Sequence, residues 1–352
     1  MAAPTDPATL LVQTRKDLLQ TGTALPLLRA TLEGGRADHG ITRAACRELQ
    51  RLGYWDQSIL QIEAALERFP DSVPLHLLAA YHDPTYLGLA ESLALETGKG
   101  RAEVADALRE KGAVREALAL LQAGALADLS EGDLRALAEC HIALRDLPTA
   151  RQVVLRLADS FPKARTTALM GLRLAWLDGG TVAVRAWAQD NSARALSVPH
   201  AVFRRLVAGR DLQGAADWVA QVGHMADAPA ILALHSARPE QAEALIQPIL
   251  AQTPPEARSH ALWDLAIRAA LALGPGGDAQ AADRLAKARL VFPDSLTLDQ
   301  LAAERALQLG DWTGAERALS GRPGPSQTPQ RAAAQAELAH RMGRFAPGAT
   351  GA

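Results

Sequence analysis

The sequence is poor in the residues that build sheets and staple small domains. Phe, Trp and Tyr together make up 4% of its 352 residues, and β-branched strand formers are also scarce, so a fold built from strands is excluded. There are only two cysteines, Cys46 and Cys140, too few for a disulfide framework. Each lies in an Ala-rich helical pattern (ITRAACREL and LRALAECHIAL), where a small apolar thiol suits close helix packing, so both are expected to be buried and reduced. No uncharged apolar run approaches the roughly 18 residues of a membrane span. The start (MAAPTDPATLLVQTRK) has no basic segment followed by an apolar one, which leads to the expectation of a cytoplasmic protein. Charge of one sign is missing too: 37 Lys+Arg against 39 Asp+Glu leave a net charge of -2, which excludes a polycation made for nucleic acid. Ala (73) and Leu (55) fill over a third of the chain. Both are strong helix formers, and an all-α protein follows.

One phrase recurs along the chain. An apolar helix runs into a turn of Gly or Arg, a polar residue and an apolar one, then into a second helix with an early Ala, often closed by Pro. The copies include Lys111-Gly112-Ala113 leading to Ala117, and Arg145-Asp146-Leu147 leading to Ala150 and Phe161-Pro162. Further copies are Arg210-Asp211-Leu212 leading to Ala215, the Gly274 to Gly277 loop leading to Ala281, Ala288 and Phe292-Pro293, and Gly310-Asp311-Trp312 leading to Ala315. The spacing is 33 residues from Gly112 to Arg145, 65 from Arg145 to Arg210 (two units) and 36 from Gly274 to Gly310. Such a phrase describes a helical hairpin. Gly relieves strain where the first helix ends, Ala lets two helices approach, and Pro stops the second helix. One hairpin cannot bury both faces, so neighbours must stack, each unit contacting only those beside it.

These residues resemble the tetratricopeptide repeat, a helical hairpin of about 34 residues. Met170-Gly171 with Leu174, and Leu137-Ala138, match its first-helix pattern; Trp263 takes its Trp place; Gly310-Asp311-Trp312 matches its turn; Ala281, Ala288 and Pro293 match its second helix. The resemblance covers roughly 39–320 and implies an αα-hairpin solenoid wound as a right-handed superhelix. Residues 1–38 are expected to be N-terminal capping helices. Residues 321–352 read as a Pro/Gly linker, a last helix over 329–343 and a loose tail.

No catalytic signature is present. The nine histidines include no HExxH, no Gly-x-Ser-x-Gly elbow exists, and Gly98-Lys99 lacks the remainder of a phosphate loop. No catalytic residue, metal or cofactor is therefore expected. The six tryptophans recur mainly at hairpin sites and read as core wedges. What remains is surface. In such arrays the first helices line a concave groove. Aligning units by their turns puts Arg43, Arg47, Arg109, Arg135, Arg165, Arg204 and Arg268 on its exposed stripe, with Asp106, Glu139, Asp264 and Glu304 among them. Arginine prevails, which favours a protein or peptide partner with acidic groups. Asn191 is the only Asn and lies outside the first helices, whereas peptide-clamping members of the family that the repeat resembles use Asn there. The expected function is a non-catalytic scaffold. Two other readings are a helical-repeat accessory subunit of a carbohydrate- or envelope-modifying enzyme system, and an α-helical toroid enzyme. The partner and the oligomeric state are not legible.

Overall fold

A computed structural model describes residues 6–33, 38–123, 129–320 and 335–336. The described residues form twenty α-helices and no strand. In chain order they are α1 (Pro7–Thr21), α2 (Leu25–Glu33), α3 (His39–Arg51), α4 (Trp55–Arg68), α5 (Val73–Ala79), α6 (Thr85–Thr97), α7 (Arg101–Glu110), α8 (Val114–Gln122), α9 (Glu131–Ala143) and α10 (Leu147–Ser160). They continue with α11 (Arg165–Asp190), α12 (Ser192–Ser197), α13 (Pro199–Ala208), α14 (Leu212–Val222), α15 (Ala228–His235), α16 (Pro239–Gln252), α17 (His260–Ala272), α18 (Asp278–Val291), α19 (Leu296–Gln308) and α20 (Trp312–Ser320). Helices stand on either side of each of the expected turns. The short α12 was not expected. The linker and last helix expected beyond residue 320 fall, but for residues 335–336, outside the described residues.

The turns pair these helices into ten hairpins. α11 is itself a hairpin, because Gly179 and Gly180 leave helical geometry and divide it into two limbs. The turn between first and second helix has one recurring form. At Leu49 to Tyr54, the Tyr54 N–H donates to the Leu49 carbonyl and the Gly53 N–H to the Gln50 carbonyl, with Gly53 in the left-handed region at φ 81°. This is a Schellman closure, which satisfies carbonyls that the helix end leaves open. The same pair of bonds recurs at Gly112, Arg145, Arg210, Ala237 and Gly310. Three of these six turns thus hold a residue with a Cβ at positive φ: Arg145 at 63°, Arg210 at 60° and Ala237 at 54°. A side chain there costs about 1–2 kcal/mol. Allowing for glycine's extra backbone entropy, Ala237→Gly is expected to stabilise the protein by about 0.5–1 kcal/mol. Gly53→Ala, where nothing lies within 4 Å of the added Cβ, should destabilise it by a similar amount. Denaturant melts check both, and a loss of stability in Ala237→Gly would contradict the strain argument.

The chain divides into two compact units. One comprises Met1–Ser58 with Pro229–Ala352, the other Ile59–Ala228. In the second unit a continuous core runs through α7, α8, α9, α10 and the first limb of α11, including Leu108, Leu121, Leu137, Ala150, Leu157 and Met170. Ala150 and Ala288 are both fully buried, as the close approach of paired helices requires. Cys46 and Cys140 are buried and free of disulfides. Burial pushes their thiols up to about 12 and about 11.

The first unit departs from the expectation that each repeat touches only its neighbours. Its helix α1 packs on α18 and on the 3-10 turn Pro255–Ala257. The contact is built on the Phe-Pro stop of α18. The guanidiniums of Arg15 and Arg51 lie 5.0 and 5.9 Å from the Phe292 ring centre, a cation–π arrangement. Arg51 also donates to the Val291 carbonyl at 2.5 Å while Glu48 holds it at 2.6 Å. The tryptophans depart from the sequence reading as well. Trp263 and Trp218 are buried wedges, but Trp312 is 46% exposed at the α19–α20 turn.

Candidate functional site

The seven arginines expected on the groove fall in both units: Arg43, Arg47 and Arg268 in the first, Arg109, Arg135, Arg165 and Arg204 in the second. Arg43 and Arg47 are exposed one turn apart on α3, and neither forms an ion pair among the described residues. Arg268 is exposed and paired along its own helix, with its Nε 3.0 Å from Asp264.

In the second unit the first helices α7, α9 and α11 carry a ladder of charge. Arg109 sits one turn beyond Asp106 on α7 and reaches it at 3.2 Å. From α9, Arg135 grips the same carboxylate with two bonds, at 3.3 and 2.5 Å. One rung along, Glu139 on α9 receives Arg173 from α11 at 2.9 Å. The ladder forms because residues three and four apart share a helix face, so that Arg135 and Glu139 stand in line, each facing a different neighbouring helix. The bond from Asp106 raises the Arg135 guanidinium above its usual range.

Asp106 therefore serves two guanidiniums. The Nε of Arg109 is buried and has no hydrogen-bond partner among the described residues. Beyond the ladder, Arg165 and Arg204 are exposed and make no ion pair among the described residues. Arg165, Leu169 and Arg173 stand at four-residue spacing on the first limb of α11, and Leu169 is exposed between the two cations. Arg173 was not among the expected residues, although its place eight positions after Arg165 on one helix would have found it. Of the expected set, the fold brings Arg109 and Arg135 together on one carboxylate; Asp106 and Glu139 close the ladder.

The second helices carry a different kind of pair. Arg151 on α10 bonds Asp178, and Arg185 bonds Asp211. Asp211 also caps α14 by accepting from the Gly214 N–H at 3.0 Å. These pairs sit at hairpin junctions and hold adjacent units in register.

Repeated hairpins of about 34 residues, one Schellman turn and a small residue at each close approach decide the architecture. The fold is a tetratricopeptide-like helical repeat. No family model matches the chain and no curated protein matches it. Among solved structures, a tetratricopeptide repeat protein from Parabacteroides merdae is similar at a TM-score of 0.39 and 13% identity, over 93% of this chain and 99% of that one. The Cut9-Hcn1 hetero-tetramer of the APC/C is similar at 0.40 and 11%, over 94% and 72%. The Naa15/Naa10 structure with HypK-THB is similar at 0.32 and 15%, over 96% and 56%. Among the described residues of this repeat, no helix is long and apolar enough to cross a membrane. Among the described residues no group of three or more His, Cys, Asp and Glu is placed to hold a metal.

Proposed function

We propose that this chain is a non-catalytic helical-repeat scaffold that holds an acidic segment of a partner protein along the first helices of its second unit. The observation that supports this reading is the sharing of Asp106 by Arg109 and Arg135, which leaves the buried Arg109 Nε without an acceptor. A buried donor without an acceptor costs about 1–3 kcal/mol. A partner carboxylate that draws the Arg109 guanidinium away from Asp106 removes that cost and meets Arg165 and Arg204 along the same run of helices, with Leu169 offering an apolar contact between charges. Planar guanidiniums suit carboxylates because the two match in bidentate geometry.

The test is capture of the partner from extracts of the native cell, identified by mass spectrometry. Reversing Arg165 and Arg204 to Glu is expected to abolish capture while leaving helicity unchanged. Reversal of Arg156, exposed on the second helix α10, should leave capture intact. Added salt should weaken the wild-type complex as the screening length falls below about 10 Å. Equal loss from both reversals, or none from either, disposes of this reading and leaves the fold untouched.

A further inference from the structure

We infer that a cleft in the first unit, between α16 and α18, is a binding site for a carboxylate. The cleft has a volume of about 360 Å³, within the range of small-ligand sites. Trp263 of α17 and Arg258, which precedes that helix, both line it, and Gln247, Gln280, Arg284 and Lys287 stand around them.

Two of its three cations are already matched. Arg284 is held by Glu243 at 2.5 and 2.9 Å, and Lys287 pairs with Asp283 at 2.7 Å. Arg258 is not. Its Nε and Nη2 donate to the carbonyls of Thr253 and Leu250, at 3.0 and 2.9 Å, and it makes no ion pair among the described residues. Its guanidinium lies 4.8 Å from the centre of the Trp263 ring, so the ring and the two carbonyls hold it in place and Nη1 is left over. Burial, with Arg284 nearby, lowers its pKa from the usual arginine value against the opposing pull of Glu256 and Asp283, the latter also lining the cleft.

The second observation is independent of charge. Trp263 is fully buried, and its indole N–H has no hydrogen-bond partner among the described residues. Buried indole N–H groups are normally bonded. An oxyanion in this cleft supplies what both groups lack: a negative charge for Arg258 and an acceptor for the indole. A carboxylate has two oxygens to give, and the amide of Gln280 offers a further donor at the rim, whereas the Gln247 amide N–H already donates to Glu243. The same group can come from a free small acid or from a glutamate side chain of a bound protein.

Indole N–H resonances distinguish these sources and test the site. The chain has six tryptophans, and Trp263→Phe keeps an aromatic ring under Arg258 while deleting one signal, which assigns it. Citrate and a hexaglutamate peptide are titrated separately into the full-length protein. Saturable movement of the Trp263 signal is expected with at least one of them, and the tighter binder identifies the source. Arg258→Gln should weaken that binding at least tenfold, and Trp263→Phe several-fold by an independent binding measurement. A Trp263 signal unmoved at saturating levels of both probes overturns the inference, and this outcome needs no variant to fold. Binding unchanged in Arg258→Gln overturns it equally. Because the cleft lies on helices of the first unit, either result leaves the proposal for the second unit standing.

Discussion

Replacing Glu243 with alanine is expected to destabilise the protein by about 3–5 kcal/mol, because it leaves a buried guanidinium without its counter-charge. Glu243 on α16 and Arg284 on α18 are about nine-tenths buried. Arg284 also donates to the Ala266 carbonyl of α17 at 2.5 Å, so a single side chain ties three consecutive helices. Solvent screening is slight at this burial, and the Coulombic attraction is not the point. The cost arises because a charge removed from water keeps its desolvation penalty when its partner goes. The double variant Glu243→Ala with Arg284→Met should therefore recover most of the loss, since burying an apolar chain of similar length carries no such penalty. Chemical denaturation of the three variants checks this. A single-variant loss below about 1 kcal/mol, the range of exposed pairs, would mean that the pair is solvated.

Gly277→Ala is expected to cost about 3 kcal/mol, near the upper end for overpacked sites. A Cβ at this position would lie 1.9 Å from the carbonyl oxygen of Ala270. That oxygen belongs to the backbone of α17 and cannot rotate away, so α17 and α18 would have to separate at their shared turn. Its neighbour supplies the control. Around Gly276 nothing lies within 4 Å of an added Cβ, and Gly276→Ala should be neutral or slightly stabilising through the unfolded chain. Thermal melts that do not separate the two variants would contradict the close approach at Gly277.

The two glycines look alike in the sequence, where GPGG reads as a lengthened interhelical loop. Only the distance to α17 distinguishes them. The same holds for the arginines. Turn alignment placed Arg109 and Arg135 on the exposed stripe; both lie on first helices and are half-buried, and the alignment could not say that one carboxylate serves both. Arg151 and Arg284 both lie on second helices. The first is exposed and the second is buried with Glu243, a difference set by which helix crosses which and not by the repeat phase.

The sequence by itself determined the helices, the hairpin period and the position of nearly every turn. These are local properties: Ala and Leu favour helix, Gly and Asp at fixed offsets end and restart it, and the 3.6-residue period assigns each side chain a face. It also determined that Ala150, Ala288 and Trp263 belong to cores, since stacked hairpins leave room there for only one kind of side chain. Only the tertiary structure decided that α1 reaches α18 and covers Phe292, and that Asp106 is shared while Arg258 stands unmatched. Each of these depends on residues distant in the chain meeting in space, and a charge or a donor is satisfied or left open by such neighbours, which no local pattern encodes.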